Sequence, residues 1–226
     1  MEITESLKTA TRSDAWTDEE VIERVRAGDT ALYEIIMRRY NQRLYRITRA
    51  ILRDDTEAED VIQDAYVRAY QYLYQYAGDG LFSVWLTRIA VHEALRRLRL
   101  RNRSQQLEES ERDEEGPMNV VETSPDPEQR ASIAELNHLL EEAVLGLPDS
   151  YRAVVMMRDV EQMSTAETAA VLDISEENVK VRLHRGHAMM RGWLFARVGE
   201  NAKEVFPFMG PAAIEWSLGY LRGSRS

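Results

Sequence analysis

Residues 104–130, SQQLEESERDEEGPMNVVETSPDPEQR, hold nine acidic side chains against two basic ones, together with Gly116, Pro117, Pro125 and Pro127. Like-charge repulsion and scant apolar content keep such a stretch out of any core, so it reads as a flexible acidic linker. A single core therefore cannot run through the chain. The blocks on either side, 1–103 and 131–226, are each long enough for a small domain. With no cysteine among the 226 residues, disulfide staples, thiolate metal sites and cysteine nucleophiles are excluded, and each domain must stand on burial alone.

The net charge of -10 argues against a general attraction to DNA, but most of it resides in the linker. Residues 1–103 balance 17 acidic against 17 basic side chains, and residues 96–103, RRLRLRNR, carry five arginines and no acid. A local nucleic-acid surface is thus compatible with the composition. No window has the apolar length of a spanning helix, and MEITESLKTATRSD lacks a basic stretch followed by an apolar run. A cytoplasmic location without membrane insertion is expected.

Apolar spacing predicts an all-α fold, with no run of alternating β-branched residues and no internal repeat. In the first block, helices are expected from Asp18 to Ala27, closed by Gly28, and from a cap at Asp29 or Thr30 to about Leu52. Further helices are expected from about Glu57 to Leu73 and from about Leu81 into the arginine run, separated by Gly78-Asp79-Gly80. Beyond the linker, Ile133, Leu136, Leu140, Val144 and Leu147 mark an amphipathic helix ending near Pro148. Tyr151–Asp159 forms a short helix. Ser164–Leu172, the turn Asp173-Ile174-Ser175 and a helix from Glu176 to about Val198 have helix-turn-helix spacing.

Three helix faces carry candidate sites. At about 100° per residue, the helix after Glu57 buries Ala58, Ile62, Ala65, Tyr66, Ala69 and Leu73 and turns Asp60, Gln63, Asp64 and Val67 outward. This is either a plain solvated face or a docking surface whose carboxylates meet a partner's arginines. Trp85, Arg88, His92, Arg96, Arg99 and Arg103 form a second stripe, with Phe82 and Arg97 beside it. Cations beside aromatic surface suit single-stranded or opened DNA, although Phe82 and Trp85 taken singly read as core. On the last helix Val179, Leu183, Gly186 and Met190 face inward. Asn178, Val181, His184 and Arg185 face outward, flanked by Lys180 and Arg182. That arrangement fits either a recognition helix or an ordinary surface helix.

Catalytic chemistry finds little support. Glu57, Asp60 and Asp64 lack the Glu-x-x-His companion of di-metal bundles, and His184 and His187 have no acidic ligand placed with them. Neither a phosphate-cradling GxxxxGK[ST] nor a GxGxxG occurs. No metal, cofactor or enzymatic activity is expected.

AEDVIQDAYVRAY from Ala58, FSVWLTRIAVHEALRRLR from Phe82 and VKVRLHR in the second block resemble, in this order and spacing, the bacterial sigma factors of the extracytoplasmic-function (ECF) type in the sigma-70 family. The resemblance implies a region 2-like domain over 1–103, the linker 104–130, a region 4-like helix-turn-helix domain over 131–198 and a C-terminal extension over 199–226. It also implies a non-catalytic initiation subunit of RNA polymerase. Asp60, Gln63, Asp64 and Val67 then belong to the helix that docks core polymerase through its beta and beta-prime subunits. Phe82, Trp85, Arg88, His92, Arg96, Arg97 and Arg99 fall on the element that opens and reads the promoter near minus 10. Ser175, Glu177, Asn178, Lys180, Val181, Arg182, His184 and Arg185 fall on the helix that reads duplex near minus 35. The linker resembles the segment threaded through polymerase toward the RNA exit path, against the simpler reading of a solubilising tether. Members of this family are often held by an anti-sigma protein.

His92 stands where the family commonly has asparagine, Val181 where serine is frequent and His187 where arginine is frequent. Asp173 occupies the glycine-like position of the helix-helix turn, where aspartate tolerates a left-handed conformation better than most residues. The extension, with Phe206, Phe208, Ile214 and Trp216, reads as a terminal helix packed on the second domain or as a partner-binding segment. Two other functions fit the residues alone: a dimeric regulator that uses only the helix-turn-helix, and a sequestering protein of sigma-like shape that binds only proteins.

Overall fold

The computed structural model describes residues 16–78, 81–110 and 133–198, which are helical and divide into two compact units. One unit comprises residues up to Ala94 with Ala166–Ile174, and the other comprises Leu95–Thr165 with the residues from Ser175 onward. Most of the acidic linker, the extension 199–226 and the N-terminal segment MEITESLKTATRSD lie outside the described residues.

In the first unit, α1 spans Asp18–Arg26, α2 Tyr33–Leu52, α3 Asp55–Gln71, and α4 begins at Phe82 and runs to Ser110. A capping box starts α1: the Glu20 amide donates to Thr17 Oγ1 at 3.3 Å, and the Thr17 amide donates to Glu20 Oε2 at 2.8 Å. Where a single long helix from Asp29 or Thr30 is expected, a 3-10 turn over Thr30–Leu32 precedes α2. The α2–α3 corner is short because Arg53 takes a left-handed conformation (φ 57°) and Asp54 caps α3, accepting from the Glu57 amide at 2.8 Å.

Val21, Ile22, Ile36, Leu44, Ile62 and Leu86 pack in the core of this unit. Polar tips tie the helices across that core. Tyr33 Oη donates to the Tyr66 carbonyl and Tyr66 Oη to the Met37 carbonyl, both at 3.0 Å. Burial raises the pKa of both phenols, which keeps them protonated as donors.

In the second unit, α5 spans Ile133–Leu145, α6 Asp149–Val155 and α8 Glu176–Val198. A helix is expected over Tyr151–Asp159, but the α-helix stops at Val155 and a π turn covers Met156–Val160. Leu140, Leu147, Val154, Met157, Met190 and Leu194 form the apolar interior. Into it projects Arg152, whose side chain is 0% exposed. One terminal guanidinium nitrogen donates to the carbonyls of Leu145 at 2.9 Å and Leu147 at 2.6 Å, and the other reaches Asp149. The buried cation thereby caps the C-terminal carbonyls of α5.

At Gly186 α8 comes close to α6: a Cβ there would stand 2.9 Å from Val155 Cγ2. Alanine's better helix propensity is worth up to about 1 kcal/mol, whereas overpacking costs about 1 to 3 kcal/mol. Gly186→Ala is therefore expected to destabilise the protein by about 1 kcal/mol in chemical denaturation. A neutral or stabilising result would mean that Val155 gives way.

Candidate nucleic-acid interface

The outward face of α3 emerges as the spacing predicts. Ala58, Ile62, Ala65, Tyr66, Ala69 and Leu73 are all buried, while Asp60, Gln63 and Val67 are exposed and Asp64 is half-buried. Val67 is 56% exposed, an apolar group held in water between polar neighbours. Tyr70 and Met37 are also exposed.

On α4 the expected residues separate. Phe82 is 1% exposed, and its ring packs on Tyr40 (6.3 Å between centroids), Tyr76 (5.3 Å) and Trp85 (5.5 Å). Its ring thus lies in the core and is in contact with Trp85 there. Trp85 is half-buried. Arg88, Arg96 and Arg99 are exposed, and His92 and Arg97 are half-buried.

Two of these side chains already have partners within the first unit, on its segment 166–174. A terminal nitrogen of Arg88 donates to Asp173 Oδ1 at 2.6 Å. His92 Nε2 lies 2.9 Å from the Val171 carbonyl oxygen, which can only accept, so that nitrogen bears the proton. The Arg88–Asp173 pair is about half exposed on both sides, and such pairs contribute roughly 0 to 1 kcal/mol. A phosphate could displace that carboxylate at little cost.

The helix α7, Thr165–Leu172, leads into the turn, where Asp173 is left-handed at φ 53°. The aspartate thus adopts the conformation the turn demands. Ser175 then caps α8, its hydroxyl accepting from the Asn178 amide at 3.2 Å. Along α8, Val179, Gly186 and Met190 are buried and Leu183 is half-buried. Glu177, Asn178, Lys180, Val181, His184 and Arg185 are exposed, with Arg182 half-buried. Arg182 Nε donates to Asn178 Oδ1 at 3.0 Å, which holds one guanidinium against the first turn, and Lys180 Nζ lies 4.0 Å from Glu177. This face offers donors from Asn178, Lys180, Arg182, His184 and Arg185 on a rigid helix, the chemistry that base edges and phosphates require.

The two histidines of α8 part company. His184 is exposed, whereas His187 is buried with Nε2 2.6 Å from Asp159 Oδ2. The acidic partner missing from the sequence neighbourhood of His187 comes from the π turn, 28 residues earlier. The pair lies within the second unit and does not reach the outward face. No group of three metal-ligating side chains occurs among the described residues, and none of their helices is long and apolar enough to cross a membrane.

Residues 36–104 match the family model for Sigma-70 region 2, and residues 137–190 match the model for Sigma-70, region 4. The chain is 30% identical over 173 residues to the ECF RNA polymerase sigma factor SigW of Bacillus subtilis (strain 168), covering 75% of this chain and 92% of that protein. Its fold is similar to that of CnrH, solved in complex with the cytosolic domain of CnrY, with a TM-score of 0.57 at 23% identity, covering 79% and 97% of the two chains. It is also similar in fold to the sigma factor RpoE, solved in complex with the anti-sigma factor NepR from Bartonella quintana. There the TM-score is 0.53 at 18% identity, covering 70% of this chain and 96% of that one.

Proposed function

Because the chain belongs to the ECF sigma factors of the sigma-70 family, non-catalytic subunits that direct RNA polymerase to promoters, we propose that it divides that task among its three exposed helix faces. Asp60, Gln63, Asp64 and Val67 on α3 dock core polymerase through its beta and beta-prime subunits. Trp85, Arg88, His92, Arg96, Arg97 and Arg99 on α4 engage the opened strand near minus 10, with Phe82 supporting Trp85 from below. Ser175, Glu177, Asn178, Lys180, Val181, Arg182, His184 and Arg185 present α8 to duplex near minus 35. An anti-sigma protein holds the chain until core polymerase takes it, as the complex of the fold neighbour RpoE with NepR suggests. The linker 104–130 threads polymerase between a region 2-like domain, 1–103, and a region 4-like domain, 131–198.

One observation carries this reading: the polar face that the family motif places on α3 is outward in this chain, and it includes an apolar residue, Val67, at 56% exposure. An apolar group set among polar neighbours, with Tyr70 also exposed on α3, supports a docking face, whose centre is apolar and whose rim is polar. Reconstituted transcription with core polymerase on genomic DNA, followed by start-site mapping, tests the whole assignment. Initiation at a shared two-part motif is expected. Tight duplex binding without polymerase would favour a dimeric regulator, and core binding without initiation would favour a sequestering protein.

Asp60 gives the cleaner docking test because it is fully on the outside, whereas Asp64 is half-buried. Asp60→Lys is expected to weaken core binding by roughly tenfold at low salt with an unchanged melting temperature, since it reverses a surface charge and opens no cavity. Wild-type affinity in a direct titration would remove Asp60 from the docking face.

A further inference from the structure

Arg26 is the last residue of α1, where a cation is ordinarily accounted for by its own helix dipole. Its guanidinium instead reaches the backbone around residues 73–76, nearly fifty residues along the chain. Nε donates to the Leu73 carbonyl at 3.2 Å, and a terminal nitrogen donates to the carbonyls of both Leu73 and Tyr76. The Leu73 carbonyl opens the 3-10 turn Leu73–Gln75 and also accepts the Tyr76 amide at 3.2 Å, while the Tyr76 carbonyl follows the turn's last residue. One cation thus fixes two points of the segment that follows α3, Nε and a terminal nitrogen sharing the Leu73 carbonyl while that same terminal nitrogen reaches Tyr76.

What that segment carries gives the contact its meaning. The Tyr76 ring lies 6.0 Å from the Arg26 guanidinium carbon and packs on Phe82 at 5.3 Å and on Trp85 at 5.7 Å. Tyr74, between the two clamped carbonyls, is 72% exposed. Past Tyr76, Gly78 takes φ 80°, a left-handed conformation that glycine adopts without steric cost. Arg26 itself is exposed, so its removal opens no cavity in the core.

We propose that Arg26 is a positioning residue for the downstream, strand-separated promoter element: by clamping the Leu73 and Tyr76 carbonyls it sets the place of Tyr76, and through it that of Trp85 on α4. This rests on the reading that α4 engages opened DNA. Such a site needs its aromatic surface held to a fraction of an ångström, so loosening the support costs function before it costs stability.

The test uses holoenzyme assembled from core polymerase and the full chain, as wild type, Arg26→Met and Arg26→Lys. Methionine keeps the length of the stem and removes every donor. For Arg26→Met the melting temperature should fall by less than about 5 °C and core affinity should hold. Permanganate reactivity of opened thymines should drop roughly tenfold, the factor that one lost charge-assisted hydrogen bond commands. In promoter-library transcription the downstream preferences should broaden while the upstream ones stay. Arg26→Lys should fall between the two, since its ammonium keeps the charge and three donors but lacks the rigid planar guanidinium that also shares Nε with the Leu73 carbonyl. Wild-type opening and wild-type downstream preferences in Arg26→Met would overturn the proposal while leaving the sigma reading intact. Equal loss at both elements with a lowered melting temperature would also overturn it, marking Arg26 as a general strut. Failure of the wild-type chain itself to initiate would remove the reading and this inference together.

Discussion

Replacing Arg152 with methionine is expected to destabilise the second unit by about 3 kcal/mol. Methionine fills much of the same space, so the loss comes from polar groups rather than from a cavity. The Leu145 and Leu147 carbonyls lose a charged donor at the C-terminal end of α5, while Asp149, 39% exposed, can turn to water. Abandoning a buried acceptor costs about 1 to 3 kcal/mol, and avoiding the desolvation of a guanidinium offsets part of the sum for two. Hydrogen exchange measures this in the intact chain and separates the units, which a single melting curve cannot do. Amides of α5, α6 and α8 should lose roughly a hundredfold in protection, and those of α1 to α3 should lose none. Arg152→Lys should fall in between. Unchanged protection in Arg152→Met would show that water replaces the guanidinium and that the cation is dispensable.

That expectation depends on a contact that spacing does not reveal. Helical periodicity located α3 and α8 and their inward faces because those faces are made of residues that can only gain by burial, such as Ala58, Ile62, Val179 and Met190. It could not place Arg152, since arginine is ordinarily a surface residue and its role here depends on carbonyls at the end of another helix. The same limit applies to Arg26, whose partners are backbone oxygens that every sequence possesses. The π turn over Met156–Val160 escaped notice because VVMMRDV is apolar on too many sides to show a change of period. Its consequence, the Asp159–His187 pair, is equally invisible, as neither residue lies near the other in sequence.

At the helix ends a different cause operates. The apolar pattern thins at 103, where the first domain is expected to end, while α4 continues through Ser110. Gln105, Gln106, Leu107, Glu108 and Glu109 are good helix formers, and the first breaker after them is Gly116. Local propensity thus favours the helix over this stretch. For the site, residue type alone points outward for every arginine of α4 and α8, and Arg88, Arg96, Arg99 and Arg185 are exposed while Arg97 and Arg182 are half-buried. It could not tell that the aromatic pair at the start of α4 divides, with Phe82 inside and Trp85 half-buried.

The two reading faces should separate in a promoter library. Arg185 is exposed on the side of α8 opposite Val179 and Met190, and its fork can span two acceptors of a guanine in the major groove. Arg185→Ala is expected to cost about 1 to 3 kcal/mol at one upstream position, roughly a 5- to 150-fold fall in transcription from promoters that carry the preferred base. His92 sits on α4, with Nε2–H engaged by the Val171 carbonyl and its ring half-buried. His92→Asn exchanges that ring for a shorter amide with its own donor and acceptor, so the downstream, strand-separated preference should shift while the upstream one stays. Transcription from randomised promoters with wild type and each variant, scored separately at upstream and downstream positions, checks both. Should Arg185→Ala alter only downstream preferences, or His92→Asn only upstream ones, the division of labour between α8 and α4 would be wrong even for a working sigma factor. A uniform loss across all sequences for Arg185→Ala would assign this side chain to phosphate, because a backbone contact strengthens every site alike and selects none.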